Sequence, residues 1–271
     1  METQRQLINI GEAEIHTEIT GAGEPLLLVS GLGGTAAFWA GQVQTLATDY
    51  QVITHDHRGV GSSSPAPVVS SATEMADDVV RLMDALKIDS AHLVGHSTGG
   101  AIGQNIALKH PERVRTLTLS ASWAGPTPLF IDVFRVRRDI LINSGVRHYM
   151  MIGTLLASPA WAIEPGYNGM DDYLAARIAN FPGLEVELAR LNAVMTHDLR
   201  HRVAEISAPT GVISARDDAL TPQSMSDELA ARIPNAKQVV LSEGGHFGPV
   251  TVRDTYNAEL TGLLATLQSM R

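Results

Sequence analysis

One serine stands between two glycines where the pattern of the chain changes from strand to helix. Residues 95–99 read Gly-His-Ser-Thr-Gly, so Ser97 has a glycine two positions before it and another two positions after it. Such a turn lifts the serine hydroxyl above the strand end, and the first amides of the following helix favour a developing negative charge. Larger side chains at the glycine positions would collide across so sharp a turn. The spacing predicts that Ser97 is a nucleophile that attacks a carbonyl carbon.

A serine nucleophile needs a base, and the chain offers ten histidines. His246 follows the last predicted strand in a glycine-rich segment, residues 243–248, which reads Glu-Gly-Gly-His-Phe-Gly. A loop of this kind can carry an imidazole over the edge of a sheet toward Ser97, so His246 is the predicted base. His96, the neighbour of the serine, is expected to point away and to pack.

Two further pairs of histidines have spacings that could bind a metal ion. His55 and His57 form a His-x-His pair, and His197 and His201 lie one helical turn apart. Neither pair has a third ligand close by in the sequence, and a zinc site needs at least three protein ligands. We therefore expect no metal site and no organic cofactor.

The acid that orients the base is expected after the predicted strand at residues 211–214. Two aspartates compete there, Asp217 and Asp218. Asp218 is preferred because it lies four positions before Pro222, which begins the next predicted helix, and Asp217 remains the alternative. The triad then occurs along the chain in the order serine, aspartate, histidine.

A second glycine-rich turn could supply an oxyanion hole, which needs two fixed N–H donors aimed at one point. Residues 30–34 read Ser-Gly-Leu-Gly-Gly and end a strongly apolar run. The predicted donors are the backbone amides of Leu32, in this turn, and Thr98, which follows the nucleophile. A nucleotide-binding loop is not indicated, because Ala36 breaks the G-x-G-x-x-G spacing and no lysine completes a P-loop.

These residues must be positioned by a repeating framework, and short apolar runs alternate with helical patterns along most of the chain. The predicted strands are residues 7–10, 13–20, 25–30, 52–53, 92–95, 114–119, 211–214 and 238–241. The predicted helices are residues 72–86, 99–109, 222–233 and 255–268. The first two strands read as a hairpin. The alternation predicts an α/β fold with a mostly parallel, eight-stranded sheet covered by helices on both faces.

Residues 123–203 interrupt this alternation. The segment is helix-rich, carries many Met, Leu and Arg residues, and lies between two predicted core strands. It predicts a helical cap inserted into a core made of residues 1–122 and 204–271. Candidate pocket residues in the cap are Phe130, Met150, Met151 and Trp161, and candidate carboxylate anchors are Arg135, Arg138 and Arg147.

Composition limits the possible partners. The 271-residue chain has a formal net charge of −9, which disfavours nucleic acid and anionic membrane surfaces as partners. The absence of cysteine excludes disulfides and a cysteine nucleophile. The N-terminal segment, residues 1–9, lacks the order of a secretory signal, and no apolar run reaches the ~20 residues that span a bilayer. We expect a cytoplasmic monomer or homodimer that acts on a small molecule.

Together these motifs resemble the α/β-hydrolase family across nearly the whole chain. Residues 56–63, Asp-His-Arg-Gly-Val-Gly-Ser-Ser, resemble the family's D-x-R-G-x-G-x-S loop, which has a structural role there. The chain is most similar to small capped serine hydrolases, namely the aminoacrylate hydrolase of pyrimidine degradation and the 3-oxoadipate enol-lactonases. Many relatives carry His-Gly where this chain has Ser30-Gly31. The elbow serine is not universal in the aminoacrylate subgroup, so Ser97 favours acyl-enzyme chemistry.

The resemblance implies a serine esterase that cleaves a small carboxylic ester, lactone or amide with Ser97, His246 and Asp218. Dehalogenases and epoxide hydrolases of this fold need a carboxylate in place of Ser97. Carbon–carbon bond hydrolases, acyltransferases, perhydrolases and cofactor-free oxygenases can keep the same triad and stay open, as does a hydrolase-like receptor that only binds its ligand.

Overall fold

The computed structural model describes residues 1–65 and 67–271, and its centre is one eight-stranded sheet. The strands are β1 (Thr3–Asn9), β2 (Glu14–Thr20), β3 (Glu24–Val29), β4 (Tyr50–His55), β5 (Ala91–His96), β6 (Val114–Ser120), β7 (Thr210–Ala215) and β8 (Lys237–Leu241). They lie in the order β1-β2-β4-β3-β5-β6-β7-β8. The pairs that β2 makes with β1 and β4 are antiparallel and the other five pairs are parallel, so the sheet is mostly parallel, as predicted.

Helices connect the parallel strands and cover the sheet. Those of the core are α1 (Ala40–Leu46), α2 (Ala72–Ala85), α3 (Thr98–Lys109), α9 (Gln223–Arg232), α10 (Gly248–Thr251) and α11 (Arg253–Gln268). Between β6 and β7 lie α4 (Pro128–Ser144), α5 (Val146–Ala157), α6 (Ala160–Ile163), α7 (Met170–Ala179) and α8 (Leu184–Thr196). The second set is called the inserted helices below.

The central strands are apolar throughout because helices cover them on both faces. In β3 the side chains of Leu26, Leu27 and Leu28 are completely buried. They alternate between two apolar layers: Leu27 belongs to the layer under α2 and α3, whereas Leu26 and Leu28 belong to the layer under α1 and α11. This two-sided burial accounts for the continuous apolar run in the sequence.

The hairpin at the edge of the sheet has a different pattern because one side of it faces solvent. β1 pairs with β2 from Thr3 opposite Thr20 to Asn9 opposite Glu14. Most β1 side chains are exposed, whereas β2 alternates between buried and half-buried positions. The strand β1 is longer than predicted, since its polar first residues carry no apolar signal.

The parallel arrangement brings distant loops to one edge of the sheet. The loops that follow β3, β5, β7 and β8 all leave the carboxyl ends of strands that lie within five adjacent positions of the sheet. Ligand sites in open α/β sheets form at this edge. The inserted helices leave from the carboxyl end of β6, between β5 and β7.

The domain limits at residues 122/123 and 203/204 stay a prediction. Within the described part of the chain, every helix is too short or too polar to cross a membrane.

Candidate active site

Ser97 occupies a strained turn between β5 and α3. Its backbone has φ 55° and ψ −119°, a region that side-chain-bearing residues rarely adopt. Such a conformation costs about 1–3 kcal/mol and persists only where the surroundings enforce it. Here the amide of Ser97 donates to the carbonyl of Ser120 at 2.7 Å, and its carbonyl accepts from the Ser122 hydroxyl at 3.0 Å. The neighbouring strand therefore holds the turn from both sides.

The glycines that flank Ser97 are required by space. A Cβ atom at Gly95 would lie 2.2 Å from the carbonyl oxygen of Gly99, and one at Gly99 would lie 2.1 Å from the carbonyl oxygen of Val29. Both distances are far inside van der Waals contact. The first clash is the collision across the turn that the sequence predicted. The second shows that α3 also packs directly on the end of β3.

Asp218 and His246 are joined in the interior of the molecule. Nδ1 of His246 lies 2.9 Å from Oδ2 of Asp218 and 3.1 Å from the hydroxyl oxygen of Thr221. The side chain of Asp218 is completely buried, and that of His246 is 3% exposed. A carboxylate on Nδ1 keeps the proton there and leaves Nε2 free to act as a base.

The carboxylate of Asp218 is saturated with donors. Oδ1 accepts from the backbone amides of Leu220 and Thr221, both at 2.8 Å, and Oδ2 accepts from the Thr221 hydroxyl at 2.7 Å. Burial by itself would raise the pKa of Asp218. The charge and hydrogen bond of His246, together with the bonds from Thr221, outweigh burial and lower the pKa below its ordinary value. Asp218 is therefore an anion at neutral pH.

The structure places the competing aspartate elsewhere. Asp217 is exposed, and its Oδ1 accepts from the amide of Gly245 at 2.8 Å. It thus contacts the backbone of the loop that carries His246 but not the imidazole. Of the two aspartates considered from the sequence, only Asp218 contacts the histidine ring.

Among the contacts of the described residues, no hydrogen bond joins Ser97 Oγ to the imidazole of His246. Both side chains are buried, with 7% of Ser97 exposed. Hydrogen bonds between a nucleophile and its base are often long until substrate is bound, so the lack of one here does not argue against a catalytic pair.

His96 packs as expected but does not point away from the site. Its ring lies 4.9 Å from the His246 ring and 4.7 Å from Phe38, centroid to centroid. Nδ1 of His96 lies 3.1 Å from the hydroxyl of Ser120. Burial, and then the nearby His246 charge, hold the pKa of His96 well below its usual value. His96 is thus a neutral ring that supports one side of the His246 imidazole.

The second glycine-rich turn closes over the nucleophile. A Cβ atom at Gly31 would lie 3.0 Å from Cβ of Ser97, so the backbone of the turn passes very close to the serine. The amides of Leu32 and Thr98 donate to no protein acceptor within residues 1–65 and 67–271. Both amides are therefore available to donate to a ligand beside Ser97.

The loop at residues 56–63 fixes this turn from below. Asp56 accepts from the amides of Ala36 and Ser62, each at 2.8 Å, and the amide of His57 donates to Gly34 at 2.7 Å. Arg58 pairs with the buried carboxylate of Asp78. These contacts join the loop to the β3 turn, the structural role that the resemblance implied.

Comparison with known proteins identifies the fold family. The family model described as the alpha/beta hydrolase fold matches residues 24–141. The "Putative carbamate hydrolase RutD" of Azorhizobium caulinodans is 39% identical over 252 residues, which cover 93% of this chain and 95% of that protein. This chain belongs to the alpha/beta hydrolase fold family.

Two solved structures resemble this α/β hydrolase over nearly its whole length. The enol-lactonase of Burkholderia xenovorans LB400 is 26% identical, with a TM-score of 0.84, over 97% of this chain and 100% of that one. A thermophilic esterase of Thermogutta terrifontis is 25% identical, with a TM-score of 0.85, over 98% and 99% of the two chains. The predicted family and fold are confirmed, as is the similarity to an enol-lactonase and to a RutD hydrolase, and the protein is a hydrolase.

Three of the four predicted pocket residues belong to one apolar cluster of the hydrolase. Phe130 and Met150 are buried in it, and Met151 and Leu32 pack against it. Trp161 lies outside this cluster and is 41% exposed. The second glycine-rich turn thus meets the apolar face of the inserted helices, whereas Trp161 faces solvent.

The cap arginines considered as anchors lie on the surface of the hydrolase. Arg135, Arg138 and Arg147 are each more than 40% exposed and pair with Asp132, Asp139 and Asp171 respectively. None of them contacts the predicted site in the described part of the chain.

The two histidine pairs have structural surroundings. His55 and His57 stack at 5.2 Å, and burial lowers the pKa of His55 to about 4. His197 packs edge-on against Trp123 at 5.8 Å, and His201 is exposed. Their predicted lack of a metal stays a prediction.

Two residues at the site were missed from the sequence. Thr221 contacts both Asp218 and His246, and Arg190 on α8 donates to the carbonyl of Leu32. A signal for Arg190 exists in hindsight: Glu187, Arg190, Leu191 and Val194 have the spacing of one helix face, and all four are buried. Charged residues on the apolar face of a helix indicate a buried polar contact.

Proposed function

We propose that this hydrolase cleaves a small carboxylic ester, lactone or amide through a triad of Ser97, His246 and Asp218. The observation that carries the proposal is the buried hydrogen bond between His246 Nδ1 and Asp218, 2.9 Å long, beside a serine held at φ 55°. Residues with strain of this kind are concentrated at functional sites.

In the first step, Ser97 Oγ attacks the carbonyl carbon while Nε2 of His246 takes its proton. Asp218 keeps the other imidazole proton on Nδ1 and stabilises the imidazolium that forms. Because Asp218 is already ionised at neutral pH, it supports the charge without taking up a proton.

The negative charge on the former carbonyl oxygen needs fixed donors. The amides of Leu32 and Thr98 are the proposed pair, since neither has a protein acceptor in the described residues and Gly31 brings the first close to Ser97. A donor of this kind is worth about 3–4 kcal/mol in the transition state.

His246 then protonates the leaving group, which departs and leaves the acyl group on Ser97 Oγ. The same imidazole next takes a proton from water, whose oxygen attacks the acyl carbon. The bond between Ser97 Oγ and the acyl carbon then breaks as His246 returns the proton to Oγ, and the acid is released. The apolar cluster around Phe130 and Met150, which Leu32 joins, would receive the acyl group.

A carbamate is the second candidate substrate class, favoured by the 39% identity to a protein named as a carbamate hydrolase. Its carbonyl would be attacked by Ser97 in the same way, with a carbamoyl group in place of the acyl group. The similarity to an enol-lactonase and an esterase favours the first class. The cytoplasmic location and the monomeric or homodimeric state stay predictions.

The test compares wild type with Ser97→Ala on p-nitrophenyl esters from acetate to octanoate, with phenyl carbamates assayed beside them. We expect turnover that the variant lacks, and covalent labelling of wild-type Ser97 by a fluorophosphonate, which mass spectrometry would locate. Turnover that survives in Ser97→Ala would overturn the triad. A folded wild type that neither turns over nor is labelled would redirect the search to carbon–carbon cleavage, oxygenation or ligand binding.

A further inference from the structure

We propose that Arg190 is a positioning residue that holds residues 30–34, called the oxyanion turn below, in register with Ser97. The inference rests on the proposed function, because the group it positions is the Leu32 amide. Arg190 comes from α8, one of the inserted helices, and its side chain crosses to the turn after β3. The two contacting segments are 158 residues apart in the chain.

The guanidinium donates hydrogen bonds to two successive carbonyl groups of the turn. Nε and Nη2 of Arg190 donate to the carbonyl of Leu32 at 3.0 and 2.7 Å, and Nη2 also lies 3.3 Å from the carbonyl of Gly31. A planar fork of fixed donors suits this arrangement, whereas the point charge of a lysine reaches one acceptor well.

One of these carbonyls belongs to the same peptide group as the proposed oxyanion donor. The carbonyl of Gly31 and the amide N–H of Leu32 are the two ends of one planar trans peptide, so they point in opposite directions. Arg190 on the carbonyl side therefore fixes the N–H on the other side. Donation to the carbonyl also polarises the peptide and makes its N–H a stronger donor.

The guanidinium is itself rigidly held. Arg190 is 1% exposed, and its Nη2 lies 3.1 Å from Nδ1 of His57, which accepts the hydrogen bond. Gly34 leaves room for it, since a Cβ there would lie 2.6 Å from Nη2. Burying a cation is costly unless it finds partners, and the carbonyls of the oxyanion turn are its main ones.

A residue that acts through the oxyanion donor should affect the transition state more than ground-state binding. We expect Arg190→Met to lower kcat by roughly 10- to 100-fold with KM changed less than about three-fold, because loss of a whole oxyanion donor costs roughly 100- to 1000-fold. Arg190→Lys should recover part of the loss. Affinity for an alkyl boronic acid, which forms a tetrahedral adduct with Ser97, should fall by a factor similar to that for kcat.

Arg137→Met is the matched control. Arg137 is also buried among the inserted helices, where it contacts Tyr149 at 3.3 Å, but it does not reach the oxyanion turn. Its replacement should leave kcat within about three-fold. If Arg190→Met fails to fold, His57→Phe is the substitute variant. It keeps a ring against His55 but removes the Nδ1 atom that accepts from Arg190, and kcat should still fall by about ten-fold.

A readout that needs no turnover separates this inference from the proposed function. The amide of Gly34 donates to the carbonyl of Gly31 at 3.0 Å, so its hydrogen exchange, followed by NMR, reports the order of the turn. We expect faster exchange in Arg190→Met than in Arg137→Met. Unchanged exchange, unchanged kcat in an active enzyme, or a rise in KM alone would each overturn the positioning role. Absence of wild-type turnover and of Ser97 labelling, with faster exchange, would overturn only the hydrolytic triad.

Discussion

Replacing Asp218 by asparagine should move the imidazole proton of His246 from Nδ1 to Nε2. Oδ1 of Asp218 accepts from two backbone amides, those of Leu220 and Thr221, both at 2.8 Å. Only an oxygen can occupy that position, so the asparagine must direct its NH2 group toward His246. Nδ1 then has to accept a hydrogen bond, and the imidazole proton moves to Nε2, which can no longer take the proton of Ser97.

The expected cost follows from this tautomer. An aspartate-to-asparagine change that keeps the geometry and fixes the wrong tautomer lowers kcat about 10⁴-fold in serine proteases, equivalent to about 5 kcal/mol. We expect a loss of this size for Asp218→Asn on the p-nitrophenyl ester that wild type turns over fastest. The fold should survive, because the side chains are equal in size.

The neighbouring aspartate supplies the control. Asp217→Asn keeps an oxygen that can accept from Gly245 and does not touch the imidazole, so kcat should stay within about ten-fold of wild type. Steady-state kcat and KM at pH 8, with Ser97→Ala as background, would measure both variants. Equal losses in the two variants, or an Asp218→Asn enzyme within ten-fold of wild type, would refute the reasoning.

Two further predictions concern stability. Burial holds the pKa of His55 at about 4, against 6.5 in the unfolded chain. The unfolded chain therefore binds the proton first, and the contribution of His55 to stability is complete above pH 6.5 and declines as the pH falls toward 4, by about 3 kcal/mol. Urea unfolding at pH 7 and pH 4 should show a smaller decline in His55→Phe than in wild type, and an equal decline would contradict the neutral buried state. Gly95→Ala should prevent folding or lower Tm by roughly 10 °C or more, because its Cβ would lie 2.2 Å from the carbonyl oxygen of Gly99. Gly262 lies on an exposed turn of α11, and no described atom lies within 4 Å of a Cβ placed there. Gly262→Ala should therefore raise the free energy of unfolding by up to about 1 kcal/mol. Thermal unfolding measures both, and similar Tm values would count against the packing at the Ser97 turn.

The fold was predictable where local pattern and tertiary environment agree. The predicted helix at residues 72–86 is observed as Ala72–Ala85, because the Ser71 hydroxyl accepts from the amide of Glu74 and donates to the Glu74 carboxylate. The strand predicted at residues 52–53 extends over Tyr50–His55. Its polar positions, such as Thr54 and His55, are buried, which no apolar run reveals.

The site was predictable where chemistry depends on neighbours in the chain. The glycines around Ser97 and around His246 predict turns, and these turns indicate a nucleophile at Ser97 and a base at His246. Arg190 could not be placed in this way, since its partner is a backbone carbonyl far away in the chain. The predicted orientation of His96 was wrong for the same reason, because the orientation depends on the ring of His246, which lies in the last loop.

The long insertion between β6 and β7 has a consequence for synthesis of the chain. One edge of β6 pairs with β5, but its other edge is paired only when Thr210 lies opposite Leu117, roughly 90 residues later. At about 5–20 residues per second, a ribosome leaves that strand edge unpaired for roughly 5 to 20 s. An unpaired edge is a template for association between nascent chains. The inserted helices, which form from local contacts, would fold during this interval and lie beside the waiting edge before the sheet is complete.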